Sequence, residues 1–121
     1  MMKFMKSVTI ENCAFGTLVI DGISHQDDLM ILPDGAIIAP WRRRKGHQLS
    51  MEDLKELIHA SPEVVIMGTG MSGGVKPDRD LETQLSRLGI RFMAAPNPEA
   101  VRTFNKLVQE KRVGAGFHLT C

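Results

Sequence analysis

The chain has 121 residues, 43% of them hydrophobic and 24% charged, which is the composition of one globular domain rather than of a disordered segment. Fifteen lysines and arginines against fourteen acids leave a net charge of +1, so a broadly basic nucleic-acid binder is not expected. The apolar runs fall short of the ~18 residues of a membrane helix, and the N-terminus lacks the apolar core of a signal peptide. We therefore expect a cytoplasmic protein, with residues 1–6 as a loose N-terminus.

The first forty residues predict short antiparallel strands. Four short segments have strand character and are separated by turns, at residues 7–11, 17–20, 29–32 and 36–39. Segment 7–11 alternates polar and apolar residues, the period of a half-buried strand. The pair Asp21-Gly22 is a turn signal, and Pro33-Asp34-Gly35 suits a tight reversal because proline fixes φ and glycine is permissive. The pattern predicts hairpins or a meander.

After Trp41 the pattern changes to alternating helices and buried strands. The predicted strands are the apolar segments 64–67, 90–95 and 113–119. Ser50 with Asp53 resembles a capping box at the start of the first helix, which Ser61-Pro62 ends. Asn97 begins the third helix as a cap, because a proline and an acid follow it in the first turn.

The middle helix has an apolar stripe formed by Leu81, Leu85 and Leu88, and Gly89 ends it. Antiparallel strands followed by three helix–strand units predict a single α/β domain over residues 1–121. We expect one mixed sheet, parallel in its second half, with helices packed on its faces.

Three groups of residues carry a family resemblance. Gly68-Thr69-Gly70 follows an apolar strand, the segment 102–107 reads Arg-Thr-Phe-Asn-Lys-Leu, and Pro33-Asp34-Gly35 precedes Trp41 by a few residues. In this order they resemble the archaeal-Mth-like domain family of unknown function, from about residue 10 to residue 119. Its eukaryotic relatives include the adipogenesis-associated domain protein and a mitochondrial complex I assembly factor. Phe104 stands where the family more often has tyrosine, so that hydroxyl is absent.

The resemblance implies a layered α/β fold with a central mixed sheet and no established enzymatic activity. It also implies a role in assembling or supporting a protein complex, known for distant eukaryotic members. We therefore interpret the chain as a non-catalytic binding or complex-assembly module.

The glycine-rich segment 68–74 matches two short motifs at once. As a dinucleotide fingerprint it lacks a helix directly after it, because Pro77 comes too late, and it lacks an acid for the ribose near residues 95–97. As a nucleophile elbow it would make Ser72 the nucleophile, with His118 the only histidine downstream. We interpret it as a connection whose glycines take positive φ or allow close packing. A small-anion site on its amides is the alternative.

The run from Trp41 to His47 places four consecutive cations beside the only tryptophan. Charge and stacking favour contact with phosphate or nucleic acid, but the net charge of the chain favours an acidic protein partner over nucleic acid. The other alternative is a solvated loop whose arginines pair with Glu52, Asp53 and Glu56 on the next helix.

The alternative function is a small-molecule or anion binder, or a small enzyme, with a pocket at the glycine-rich loop, where parallel strands end. Candidate ligand- or partner-binding residues are Trp41, Arg42, Thr69, Gly70, Ser72, Asn105 and Arg112. Arg42 or Arg112 would hold an anion, whereas a structural hydrogen bond also explains Asn105.

The histidines and cysteines show no metal-ligand spacing, so no metal or cofactor is expected. Exposed strand edges predict a homodimer.

Overall fold

The architecture is known from a computed structural model that describes residues 8–120. The predicted loose terminus at residues 1–6 lies outside the described residues. The strands are β1 Ile10–Ala14, β2 Thr17–Ile20, β3 Ile23–His25, β4 Leu29–Ile31, β5 Ile37–Ile38, β6 Gln48–Leu49, β7 Val64–Gly68, β8 Lys76–Pro77, β9 Arg91–Ala95 and β10 Val113–Phe117. The helices are α1 Lys55–His59, which follows a 3-10 turn at Glu52–Leu54, α2 Leu81–Arg87 and α3 Asn97–Leu107.

The central sheet is mixed and has five strands in the order β5-β4-β10-β7-β9. Strand β7 runs parallel to both β10 and β9, whereas β4 is antiparallel to β10 and to β5. This confirms the predicted α/β domain with a mixed sheet. The apolar strand β7 is buried at every residue, as expected for a parallel strand between two others that is covered on both faces.

The first three strands do not extend that sheet, whereas β4 and β5 do, so the expectation of one continuous sheet is wrong. Strands β1, β2 and β3 form an antiparallel meander of their own, and β6 pairs with β8 in a small parallel ladder. The meander has one apolar face, on which Leu18 and Ile20 are buried in the same cluster as Phe104 of α3. Packing face-on against α3 buries that face, which edge pairing with the central sheet would leave exposed.

Strand β10 separates two apolar clusters. Val113, Ala115 and Phe117 belong to the cluster on the α3 side, whereas Gly114 and Gly116 face the other cluster. A Cβ on Gly116 would lie 2.8 Å from the Trp41 ring, and one on Gly114 would lie 2.7 Å from Leu57. The alternation of glycine with larger residues therefore lets Trp41 pack directly on the strand backbone.

Two local predictions are confirmed in detail. The reversal at Pro33-Asp34-Gly35 joins β4 to β5, and the Gly35 amide donates to the Leu32 carbonyl at 2.8 Å. Ser50 and Asp53 form the reciprocal hydrogen bonds of a capping box, from the Ser50 amide to Asp53 Oδ2 (2.9 Å) and from the Asp53 amide to Ser50 Oγ (3.4 Å).

Two other local predictions need correction. Strand β1 begins at Ile10 and excludes residues 8 and 9 of the predicted segment, whose first residue lies outside the described range. Leu88 is 55% exposed and does not continue the buried stripe of α2. The helix ends at Arg87, Gly89 takes a φ of +79°, and the Ile90 amide donates to the Leu85 carbonyl at 3.0 Å. This is a Schellman turn, and it buries Ile90 instead of Leu88.

Candidate functional site

The basic loop, residues 41–47, lies beside the carboxyl end of β10 and is fixed to the domain. Trp41 is 5% exposed, and its indole Nε1 donates to the Asp53 carbonyl at 3.1 Å. Its backbone amide donates to the Asp28 carbonyl at 2.8 Å. Farther along, the Arg44 amide donates to Asp53 Oδ1 at 2.9 Å. Hydrogen bonds at both ends therefore set the path of the loop.

Arg43 is directed into the protein and supports the loop from beneath. Its side chain is 5% exposed, and Nη2 lies 3.0 Å from Asp28 Oδ2. Nε donates to the Gly46 carbonyl at 2.9 Å, and the guanidinium carbon lies 5.1 Å from the centroid of the Trp41 ring, within range of a cation–π contact. Nη1 is buried and has no hydrogen-bond partner within residues 8–120.

Asp28 and His118 complete this polar cluster. Asp28 Oδ2 lies 2.7 Å from His118 Nδ1, and Oδ1 accepts from the Leu119 amide at 2.9 Å. Burial raises the pKa of Asp28, but the hydrogen bonds from His118, Leu119 and Arg43 and the charge of His118 outweigh it, so the pKa lies below its usual value. The carboxylate is therefore ionised at neutral pH. It accepts a hydrogen bond from His118 Nδ1, which leaves His118 Nε2 facing the Thr120 hydroxyl at 3.2 Å.

The other cations of the loop face outward. Arg42, Arg44 and Lys45 are exposed, and within the described range 8–120 none of them forms an ion pair. The alternative in which the arginines form ion pairs with Glu52, Asp53 and Glu56 is not found within this range, and Glu52 pairs instead with Lys55 at 3.2 Å. Asp53 meets Arg44 only through the backbone amide. The loop therefore presents three exposed cations that form no ion pair with the described residues.

A cleft of about 280 Å³ opens beside the loop. Its lining residues are Asp27, Asp28, Pro40, Trp41, Arg42, Arg43 and Gly46. Two of the candidate residues from the sequence, Trp41 and Arg42, thus share one cavity, and the other five are not part of its wall.

The glycine-rich loop uses its amides inside the protein. The Thr69 amide donates to the Ala95 carbonyl (2.9 Å), the Met71 amide to the Thr120 carbonyl (3.2 Å), and the Gly73 amide to the Gly70 carbonyl (3.3 Å). Thr69 and Gly70 are buried, whereas Ser72 is exposed. Gly70 and Gly73 have positive φ. These features are typical of a close-packed connection and leave few donors for a phosphate.

Asn97 has a different role from the helix cap that its sequence context predicts. It is fully buried, its Oδ1 accepts from the Gly70 amide at 3.1 Å, and its Nδ2 donates to the His118 carbonyl at 2.8 Å. Its side chain does not cap α3; instead it joins the glycine-rich loop to the end of β10. Because these partners lie 27 and 21 residues away, sequence spacing gives no sign of them.

The last two candidates, Asn105 and Arg112, are engaged elsewhere. Asn105 bonds both the amide and the carbonyl of Ile10, each at 2.9 Å, and so fixes β1 to α3. Arg112 precedes β10, at the opposite end of the parallel strands from the glycine-rich loop. It donates to the carbonyls of Ala60 (2.7 Å) and Ser61 (3.1 Å), where α1 ends.

A simple alternation distinguishes Arg43 from its neighbours. Trp41 is buried, Arg42 and Arg44 are exposed, and Arg43 is directed inward. Successive side chains of an extended chain point to opposite sides, and the exposure of residues 41–44 follows the same alternation. Asp28 and His118 carried no such signal, because they meet across 90 residues.

Neither a metal centre nor a membrane span is found in the described part of the chain. Among residues 8–120, no group of three or more histidine, cysteine, aspartate or glutamate side chains is placed to hold a metal ion. No helix within that range has the length and apolar character needed to cross a membrane.

Similarity to known proteins identifies the family. A family model described as "Protein of unknown function (DUF498/DUF598)" matches residues 10–118. The solved structure of MT938 is 27% identical, with a TM-score of 0.79 over 95% of this chain and 100% of that chain. Conserved hypothetical protein PH1505 from Pyrococcus horikoshii OT3 is 26% identical, with a TM-score of 0.81 over 93% and 99% of the two chains.

A third solved structure, of a protein from Bordetella pertussis, is described as a Mth938-like domain. It is 18% identical, with a TM-score of 0.63 over 98% of this chain and 92% of that chain, and so shares the fold. These matches confirm the resemblance drawn from Gly68-Thr69-Gly70, segment 102–107 and Pro33-Asp34-Gly35. The chain therefore belongs to the Mth938-like domain family of unknown function (DUF498/DUF598).

Proposed function

We propose that this protein is a non-catalytic binding module that recognises an acidic segment of a partner protein, as a component of complex assembly. The observation that carries the proposal is the basic loop itself. Arg42, Arg44 and Lys45 are exposed without an ion pair in the described chain, on a loop that buried hydrogen bonds hold in place.

The anchoring of the loop favours binding. Ordering a flexible loop and its long side chains opposes association, and a loop that is already fixed loses less freedom. Trp41 and Arg43 fix the loop from the interior, and Asp53 accepts from the backbone at Arg44. The planar guanidinium group of an arginine can donate two parallel hydrogen bonds to the two oxygens of a carboxylate.

The charge distribution favours a protein segment over nucleic acid. The whole chain carries a net charge of only +1, so a broad basic surface is not expected. A nucleic-acid site usually neutralises many phosphates over a broad basic face. Here Asp27, Glu52 and Glu56 lie beside the cations, lining the same clefts. When cations and acids alternate on a surface, a partner binds best in the one alignment that places its own charges opposite groups of the other sign.

The small-anion alternative at the glycine-rich loop has less support. Thr69, Gly70, Met71 and Gly73 all use their amides in internal hydrogen bonds. Asp28, His118 and Thr120 follow one another as an orienting acid, a base and a hydroxyl do in a nucleophilic site. However, Asp28 Oδ2 is shared with Arg43, and the Met71 amide is bonded to the Thr120 carbonyl. Both observations favour a structural role for the cluster.

We also infer a cytoplasmic, cofactor-free protein, in keeping with the free thiol of Cys13.

A peptide titration tests the proposal. A glutamate-rich peptide should bind the wild-type protein at low salt, and the double variant Arg42→Gln/Arg44→Gln should bind about three- to tenfold more weakly, because each exposed charge pair contributes about 0.3–0.7 kcal/mol. The matched control is Arg79→Gln/Arg102→Gln, which removes two exposed arginines elsewhere. Equal losses in both double variants would show that net charge, not the basic loop, governs binding.

A further inference from the structure

The cleft beside the basic loop contains an arginine whose hydrogen-bonding capacity is only partly used. We propose that this cleft is a carboxylate subsite, in which Arg43 Nη1 and the Arg42 guanidinium hold the side-chain carboxylate of an aspartate or glutamate from the partner. The inference deepens the proposed function and rests on it, since the carboxylate is supplied by the acidic segment that the basic loop recognises.

The unpaired nitrogen of Arg43 is the first observation. Nε and Nη2 donate to the Gly46 carbonyl and to Asp28, whereas Nη1 is buried and has no partner in the described chain. The side chain is 5% exposed. A buried charged donor without an acceptor is unfavourable, and native proteins rarely leave one. An acceptor that reaches Nη1 therefore gains a charge-assisted hydrogen bond.

The size of the cleft is the second observation. Its volume of about 280 Å³ lies just below the range of roughly 300–1,000 Å³ that holds small-molecule ligands. A carboxylate on a short aliphatic chain fits such a space. Trp41 and Pro40 supply an apolar wall for the aliphatic part, and Arg42 and Arg43 supply the cations.

The charges within the cleft are the third observation. Asp28 is already paired with Arg43 and lies within hydrogen-bond distance of His118. Asp27 is exposed and lines the same wall without an ion pair in the described residues. Asp27 therefore repels an incoming carboxylate, and removing its charge should strengthen binding rather than weaken it. A purely structural role for the cleft predicts no such gain.

Trp41 is the single tryptophan of the chain and gives a local signal. The probes are glutamate blocked at both ends as N-acetyl-glutamate amide, and the matched N-acetyl-glutamine amide. Blocked glutamate should shift the indole Nε1–H resonance of Trp41 saturably at millimolar concentration, and blocked glutamine should not. Asp27→Asn should tighten binding of blocked glutamate about two- to fivefold, and Arg42→Gln should weaken it by a similar factor. The control variant is Asp80→Asn, which removes an exposed acid away from the cleft and should change nothing.

The outcomes separate the subsite from the proposed function. If blocked glutamate and blocked glutamine give the same Trp41 response, or none, the subsite is overturned and Nη1 is satisfied by water. If the glutamate-rich peptide binds through Arg42 and Arg44 without shifting Trp41, the proposed function stands and the subsite fails. If blocked glutamate binds but the peptide does not, the cleft takes a free small acid and the partner proposal fails.

Discussion

Replacing Asn97 by alanine distinguishes two roles for that side chain. As a helix cap, Asn97 would stabilise the protein by about 1 kcal/mol. In the structure it is fully buried and joins the Gly70 amide to the His118 carbonyl. Asn97→Ala leaves both backbone groups without a partner in the interior, at about 1–3 kcal/mol each. We therefore expect the free energy of unfolding to fall by about 2–6 kcal/mol.

Urea denaturation monitored by Trp41 fluorescence measures this loss, with an unchanged m-value as the sign that both proteins unfold in the same way. The matched control is Asn105→Ala, which also removes two backbone hydrogen bonds, both to Ile10, from a half-buried side chain. Water can replace those bonds, so we expect a smaller loss of about 1–2 kcal/mol. A loss of about 1 kcal/mol or less for Asn97→Ala would refute the bridging role.

Three further outcomes follow from the fold. Gly116→Ala places a Cβ 2.8 Å from the Trp41 ring and should lower the free energy of unfolding by about 1–3 kcal/mol. The control Gly46→Ala has open space around the new Cβ and should change the free energy of unfolding by less than about 0.5 kcal/mol. Equal losses for the two variants in urea titrations would contradict the packing of Trp41 on β10. The lowered pKa of Asp28 means that its stabilising effect is complete above the ordinary carboxyl pKa of about 4 and is lost as pH falls through the lower folded value. Asp28→Asn should flatten this acid-side loss of stability, and an unchanged pH profile would argue against an ionised Asp28. Strand β3 pairs only with β2 within residues 8–120 and carries Ile23, which is 63% exposed. We expect a dimer in light scattering at tens of micromolar that Ile23→Lys makes monomeric, and a monomeric wild type would contradict this.

Local pattern was sufficient to predict most elements of the fold. The all-apolar run of β7 indicated a strand buried on both faces, and Ser50 with Asp53 indicated a helix start; both depend on neighbours within a few residues. The partition into separate sheets was not predictable in this way. It depends on whether the apolar face of the meander packs against α3 or whether one of its edge strands pairs with an edge of the central sheet, which is a choice between distant partners. The exposure of Leu88 likewise depends on the turn at Gly89.

The site was predictable only where neighbouring residues define it. The run of cations marked the basic loop, but the contrast between Arg43 and Arg42 requires knowledge that Trp41 is buried. Asp28 and His118 meet across 90 residues, and nothing in the spacing of a single sequence connects them. The cap predicted at Asn97 is wrong for a related reason, because an asparagine before proline has a common local role that tertiary contacts override here.

Site-specific photocrosslinking in cells tests the central claim most directly. A photoreactive side chain replaces Lys45 in the basic loop, and in a second protein it replaces Arg102, which is exposed on α3. We predict a discrete crosslinked protein from position 45 only, attached through a peptide rich in aspartate and glutamate and lost when Arg42→Glu is added. Crosslinks that are equal at both positions, that persist with Arg42→Glu, or that lie in a segment without acidic residues would contradict the proposed binding role of the loop.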